Sequence, residues 1–272
     1  MSTMLNIAAV EAAGATRQLG EAANGKATGG APNEFYALWL DRRMIYSCAS
    51  FHSPDEDLDT AQKHRLDSLC CALRLGPGRR LLDVGCGCGG LVMYAAERFG
   101  ADAIGVTLSR PQADLANQRL AANPRIASAG LAGCRVEVCH YRRVDAPPES
   151  YDALSSIGMA ERIGDFVWAL RLLRPGGAMA MHIMTGQPRR SADFTDTYTF
   201  PGGEPSPLGL TLHAAERAGF EVRTVDSLRE DFRLTLHHWL RRLDAHHDQA
   251  LRRGRADLPR LAAVHVRHGA RF

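Results

Sequence analysis

The residues best spaced to do chemistry lie between Arg80 and Gly90, where the chain reads Arg-Leu-Leu-Asp-Val-Gly-Cys-Gly-Cys-Gly-Gly. Leu81 to Val84 form an apolar run suited to a strand, and Leu91 to Phe99 a run suited to a helix. Glycines 85, 87, 89 and 90 fill the turn between them. With no Cβ in the way, a ligand can lie against bare backbone while the N–H groups of the helix start point at it. Gly85, Gly87 and Gly90 also satisfy the dinucleotide spacing G-x-G-x-x-G. That reading needs an acid about 20 residues further on to hold a ribose hydroxyl. The next strand, Ala103 to Thr107, runs into Leu108-Ser109 without a carboxylate, and the acid instead sits before the turn as Asp83.

Asp83-x-Gly85-x-Gly87-x-Gly89 resembles the first motif of methyltransferases that use S-adenosylmethionine (SAM). The likeness extends to Asn33-Glu34-Phe35-Tyr36-Ala37-Leu38-Trp39-Leu40-Asp41 and Met44-Ile45-Tyr46-Ser47-Cys48-Ala49-Ser50-Phe51. It continues through Gly105-Val106-Thr107-Leu108-Ser109 with Gln112, Ser156-Ile157-Gly158-Met159-Ala160-Glu161, and Leu172-Leu173-Arg174-Pro175-Gly176-Gly177. Tyr198-Thr199-Phe200-Pro201-Gly202-Gly203-Glu204, Ala218-Gly219-Phe220-Glu221-Val222, Asp226-Ser227-Leu228 and Thr235-Leu236-His237-His238-Trp239 complete it. These stretches, collinear from residue 33 to 250, resemble the cyclopropane fatty acid synthases and mycolic acid cyclopropane synthases.

The resemblance implies SAM as cofactor, held by Tyr46, Ser47, Asp83, Gly85, Cys86, Gly87, Gly89, Thr107, Leu108 and Gln112, with Tyr141 against the adenine. It implies methyl transfer to an alkene, a weak π nucleophile whose attack leaves a carbocation. Such a site must be dry, apolar and aromatic. It also implies a bicarbonate base held by Cys48, Glu161 and His182. The chain departs from the family at four places. Cys88 replaces a tryptophan in the turn, and His140 stands where relatives often carry aspartate or glycine. Thr28-Gly29-Gly30-Ala31-Pro32 replaces a His-Tyr-Asp run, and no tyrosine follows Tyr198 to match the family's fourth bicarbonate ligand. The expected product is a cyclopropane or methyl-branched acyl chain; the alternative is C-methylation of an isoprenoid or polyketide alkene. SAM binding without turnover is a third reading, opposed by the presence of Glu161.

The elements that must position these residues alternate. Strands are predicted at Arg80–Val84, Ala103–Thr107, Arg135–Cys139, Asp152–Ile157, Ala178–Met184 and Glu221–Asp226. Helices are predicted near 60–75, 90–99, 110–122, 165–173, 207–218 and 230–253. Such alternation demands an α/β fold with a doubly wound, mostly parallel sheet, Rossmann-like, with ligands at the carboxyl ends of its strands. A loop at 186–206, rich in proline and glycine, reads as a lid or substrate loop, and the family resemblance implies that it and helical lid elements around 35–75 cover an apolar acyl tunnel. Residues 33–272 read as one domain. Residues 1–32 read as a flexible leader with a short helix near Leu5 to Ala13. Near the other end, Val264 and Val266 alternate with His265 and Arg267. That period of two predicts a strand at 262–268 closing the sheet, antiparallel, between Ala178–Met184 and Glu221–Asp226; the alternative makes Leu261 to His268 a remnant of the family's tyrosine-bearing helix, with His265 in the tyrosine's place.

Composition narrows the setting. The 272 residues are 45% hydrophobic with a net charge of +3, which excludes a strong nucleic-acid footprint. No apolar run approaches the roughly 18 residues of a membrane span, and the leader lacks the pattern of a secretory signal. A cytoplasmic protein with seven free thiols is expected. No metal is expected: Cys86 and Cys88 sit in the cofactor turn, and no second Cys/His pair has ligand spacing. Residues 221–272 hold eleven arginines against seven acids. That tail reads as a solvated helix face, with a peripheral contact to anionic lipid or an acidic carrier as the alternative.

Overall fold

The computed structural model describes residues 2–9, 32–131, 133–158, 166–185 and 207–253. Its strands are β1 (Ser2–Ala9), β2 (Arg80–Val84), β3 (Asp102–Thr107), β4 (Arg135–Val138), β5 (Tyr151–Ile157), β6 (Leu173–Met184) and β7 (Phe220–Ser227). The helices are α1 (Asn33–Tyr36), α2 (Leu58–Ala72), α3 (Gly90–Phe99), α4 (Arg110–Ala121), α5 (Pro124–Ser128), α6 (Phe166–Leu172), α7 (Leu208–Ala218), α8 (Arg229–Ala245) and α9 (His247–Arg253). They make one seven-stranded sheet in the order β4-β3-β2-β5-β6-β1-β7. β2 to β6 run parallel, and β1 is antiparallel to both of its neighbours. The strand order reverses direction between β2 and β5, the switch point at which such sheets bind ligands.

Buried apolar residues form three clusters. One face of the sheet packs Leu81, Ala103 and Ala153 against α2, α3 and α4. The opposite face packs Leu82, Val84, Leu154 and Met179 against α6 and α7. The period of two in β2, with Leu81 and Leu82 entering different clusters, follows from the pleat. A third cluster joins Phe35, Trp39 and Leu40 to Leu58, Leu236, Trp239 and Leu243, making a helical cap. Asp57 starts α2 by accepting from the N–H groups of Asp59 and Thr60, an N-cap that satisfies two otherwise orphaned donors.

The N-terminus departs from expectation. Ser2–Ala9 is a strand, where a frayed tail with a short helix near Leu5 to Ala13 was predicted. β1 pairs Met4 with His182 and Asp226, and Leu5 with Met181 and Val225. The slot assigned to residues 262–268 is therefore filled from the other end of the chain; those residues, like 10–31 and the loop at 186–206, lie outside the described residues. The physical reason is the slot itself. β6 and β7 need a strand between them to pair their inward N–H and C=O groups, and that demand overrides the weak helical preference of a short Ala- and Leu-containing segment.

Candidate functional site

The predicted glycine turn leaves β2 at the switch point. Gly85, Gly87 and Gly89 all have positive φ, at 78°, 54° and 72°, a conformation in which L side chains are strained. The turn is tied to the next strand by the N–H groups of Gly85 and Cys86, which donate to the Val106 carbonyl at 2.9 and 3.1 Å. Two glycines are required by close packing. A Cβ on Gly89 would meet Ala116 Cβ at 2.9 Å, and one on Gly90 would meet Ile45 Cγ1 at 2.8 Å. Gly87 differs, since a Cβ there meets no atom of the described residues within 4 Å. The space before that backbone is open among the described residues.

Behind the turn, Asp83 is buried and accepts from Ser155 Oγ at 2.6 Å. Burial pushes its carboxyl up to about 6, opposed by that hydrogen bond. Cys86 is packed under Gly105, whose Cβ would lie 2.6 Å from the sulfur. Burial also keeps both turn thiols protonated: Cys86 is raised well above the ordinary value, and Cys88 to about 11. At the end of β3, Thr107 Oγ1 accepts from Ser109 N–H and lies 3.2 Å from Gln112 Oε1. Thr107, Leu108 and Gln112 thus flank the turn on one lip.

Residues 33–51, the lead segment, cross over this turn. Asp41 folds the segment back by accepting from the N–H groups of Arg43 at 2.9 Å and Ile45 at 2.7 Å. Ile45 and the Arg43 carbonyl then lie against Gly90. Arg119 on α4 holds the same bend through the Arg42 and Arg43 carbonyls. Four rings gather here: Tyr46 lies 5.8 Å from Tyr36, 5.3 Å from Trp39 and 5.2 Å from Trp239. Tyr46 is 43% exposed, so this ring forms the open face of the cluster. Tyr36 reaches the turn. Burial and the Cys88 sulfur push its phenol up to about 12.

Next along the segment, the Ser47 carbonyl accepts from Gln62 Nε2 at 2.8 Å. Cys48 is fully buried, its Sγ 3.1 Å from the Ala49 carbonyl and 3.8 Å from the Leu228 carbonyl. Burial pushes its thiol up to about 12, with the Arg65 guanidinium opposing. His182, on β6, is 5% exposed. Burial lowers its imidazole to about 3, and Arg65 adds to the fall. The Gly158 N–H donates to the His182 carbonyl at 2.9 Å, so the chain that leads toward Glu161 starts beside His182. Glu161 itself lies outside the described residues.

Tyr141 is placed differently from the other site residues. It is buried in the cluster under α6 and α7, edge-on to Trp168 at 5.0 Å, with His140 stacked on it at 4.8 Å. Sequence reasoning passed over Gln62 and Arg65. Both are buried on α2 among Ala61, Leu66 and Leu69, and polar residues inside an apolar helical stripe were the available signal.

With this geometry in view, comparison with known proteins gives a consistent result. A family profile described as mycolic acid cyclopropane synthetase matches residues 18–261. A probable fatty acid methyltransferase of Pseudomonas putida is 40% identical over 226 residues, 78% of this chain but 56% of that protein. The chain therefore spans little more than half of that relative. Cyclopropane mycolic acid synthase 1 of Mycobacterium tuberculosis is 35% identical, over 80% of this chain and 81% of its own length. Among solved structures, mycolic acid cyclopropane synthase CmaA1 complexed with SAH and CTAB superposes with a TM-score of 0.80 at 29% identity, covering 91% of this chain and 92% of that one.

Proposed function

The chain belongs to the mycolic acid cyclopropane synthetase family, and from that premise we propose that it is a SAM-dependent C-methyltransferase acting on an alkene in an acyl chain. The observation that carries the proposal is the packing of the aromatic lead segment over the glycine turn. The residues present fit the cofactor: the cradle at Gly87, the lip formed by Thr107, Leu108 and Gln112, and Tyr46 with Ser47 overhead would hold it. Bound there, SAM supplies an electrophilic sulfonium methyl group.

The chain's own residues do the rest. The buried rings of Trp39 and Trp239 keep water out, and Tyr36 and the more exposed Tyr46 add π faces that favour a cation. Neutral Cys48 and neutral His182 add no charge to this interior, and Arg65 supplies a buried positive one. The Arg65 charge, shared with Asp226 and Asp231, would favour a small anion such as bicarbonate beside Cys48 and His182, as the family resemblance implies. Burial keeps the His182 imidazole neutral, so it offers a hydrogen-bonding partner rather than a charge. Glu161 then holds the base or offsets the cationic charge. Glu161→Gln is expected to lower turnover by about 10²–10⁴ while leaving SAM affinity, measured by calorimetry, within about twofold.

Between Tyr198 and Phe272 no tyrosine matches the family's fourth bicarbonate ligand, which favours a second reading, transfer to an isoprenoid or polyketide alkene. Incubation with SAM labelled in its methyl group and a lipid extract separates the two. Label recovered in acyl chains by mass spectrometry supports the first reading, and NMR distinguishes a ring from an exomethylene product of equal mass. No acyl label, from protein that binds SAM, would overturn it.

A further inference from the structure

Among the described residues, one group of potential metal ligands brings three donors within 4.8 Å of one another, and it lies outside the glycine turn: His52, Glu56 and His64. His52 immediately follows the lead segment, Glu56 immediately precedes the N-cap of α2, and His64 lies in the second turn of that helix. The group is already drawn together. Glu56 Oε2 accepts from the His52 backbone N–H at 2.9 Å and lies 3.4 Å from His64 Nδ1. The two imidazoles lie face to face with centroids 3.8 Å apart and planes 9° from parallel. His64 Nδ1 is buried and makes no hydrogen bond, which leaves a polar atom under-satisfied at cost.

We propose that His52, Glu56 and His64 form a site for a divalent transition-metal ion, Zn²⁺ being the natural probe, that clamps the lead segment to α2. Two imidazoles and one carboxylate are a donor set suited to zinc. In a tetrahedral site with bonds of about 2.05 Å, neighbouring donors stand about 3.4 Å apart, the separation that His64 Nδ1 and Glu56 Oε2 already have. Parallel rings cannot both aim an in-plane lone pair at one ion. The exposed His52 ring therefore turns out of the stack on binding, and the fourth position stays open to water. The ion would satisfy His64 Nδ1 and fix the segment that carries Tyr46, Ser47 and Cys48. This clamp is independent of the proposed reaction. The donors escape a search for Cys/His pairs because they run His-x3-Glu-x7-His across a turn and a helix.

The test uses metal-free full-length protein without an affinity tag, titrated with Zn²⁺ against a chromophoric chelator, and with Co²⁺ to report the ligands. One saturable ion is expected, with Co²⁺ d–d bands and no thiolate charge-transfer band. His64→Ala and Glu56→Gln should each weaken zinc binding at least about tenfold. His52 is exposed, so His52→Ala should fold normally yet lose both the affinity and the zinc-dependent rise in Tm. A thiolate band would assign the ion to the cysteines and overturn the proposal. So would the absence of saturable binding, or unchanged affinity in a folded His52→Ala/His64→Ala protein.

Discussion

A valine at position 87 would carry its Cβ into the space before the turn, where no atom of the described residues lies within 4 Å, and would do so at a φ of 54°. The backbone strain costs about 1–2 kcal/mol, and the branched side chain fills the cradle. Gly87→Val is therefore expected to weaken SAM binding by more than tenfold with only a modest loss of Tm; calorimetry showing wild-type affinity in folded protein would refute the site. Asp83 makes a different prediction. Its carboxyl is raised from 3.8 to about 6 by burial, so between those values the folded chain binds a proton that the unfolded chain has released. Stability then falls as pH rises from about 4 to 6, by on the order of 3 kcal/mol. Asp83→Asn keeps an oxygen to accept from Ser155 and should abolish that slope in urea titrations across the window. A slope unchanged by the substitution would show that Asp83 is not its source.

At the scale of elements, β1 is the sharpest test. It has a partner on both sides, so no N–H in its middle is spared from the ladder, and proline there costs about 3 kcal/mol or more. Leu5, paired with Met181 and Val225, is the chosen position. Leu5→Pro should lower Tm by several degrees and reduce turnover more than SAM affinity, because β6 carries His182; an unchanged Tm would remove β1 from the sheet. The same strand shows where sequence reading stops. Arg80–Val84 matches to the residue and the strands at β3, β4, β5 and β7 to within one, because β2, β3 and β5 are largely apolar runs while β4 and β7 intersperse valine among polar residues. The need for an antiparallel strand between β6 and β7 was also legible, from the pairing demand of its neighbours. Its occupant was not, because Ser2–Ala9 has no local signal stronger than that of Val264 to Arg267. Tyr141 illustrates a similar limit: position after a strand does not reveal that Trp168 and His140 take its ring.

Across the whole molecule, the lead segment, α2 and α8 form a cap with its own apolar core, laid over a sheet that has two others. What holds the cap together should govern how firmly the cofactor residues are presented. Arg242 is one such tie, since its guanidinium donates to the Leu40 carbonyl at 2.7 Å and to Asp59 Oδ2 at 2.8 Å. It thereby joins α8, the lead segment and α2. Burial alone would raise the Asp59 carboxyl, but hydrogen bonds from Arg242 and the Arg42 N–H outweigh it and leave the group below its ordinary value. A depressed carboxylate stabilises the fold above its unfolded pKa, and that contribution is lost as pH falls through the folded one. Arg242→Ala should therefore cost about 1 kcal/mol near pH 7, after allowing for solvent screening of a partly exposed pair. The deficit should shrink as pH drops below about 3.8, leaving the part due to the Leu40 bond. Because Tyr46 and Ser47 follow Leu40 on the same segment, beyond the bend at Asp41, SAM affinity should weaken several-fold at pH 7. Thermal unfolding and calorimetry on the same variant check both effects; a deficit that is independent of pH, or unchanged affinity, would mean that the cap is held elsewhere.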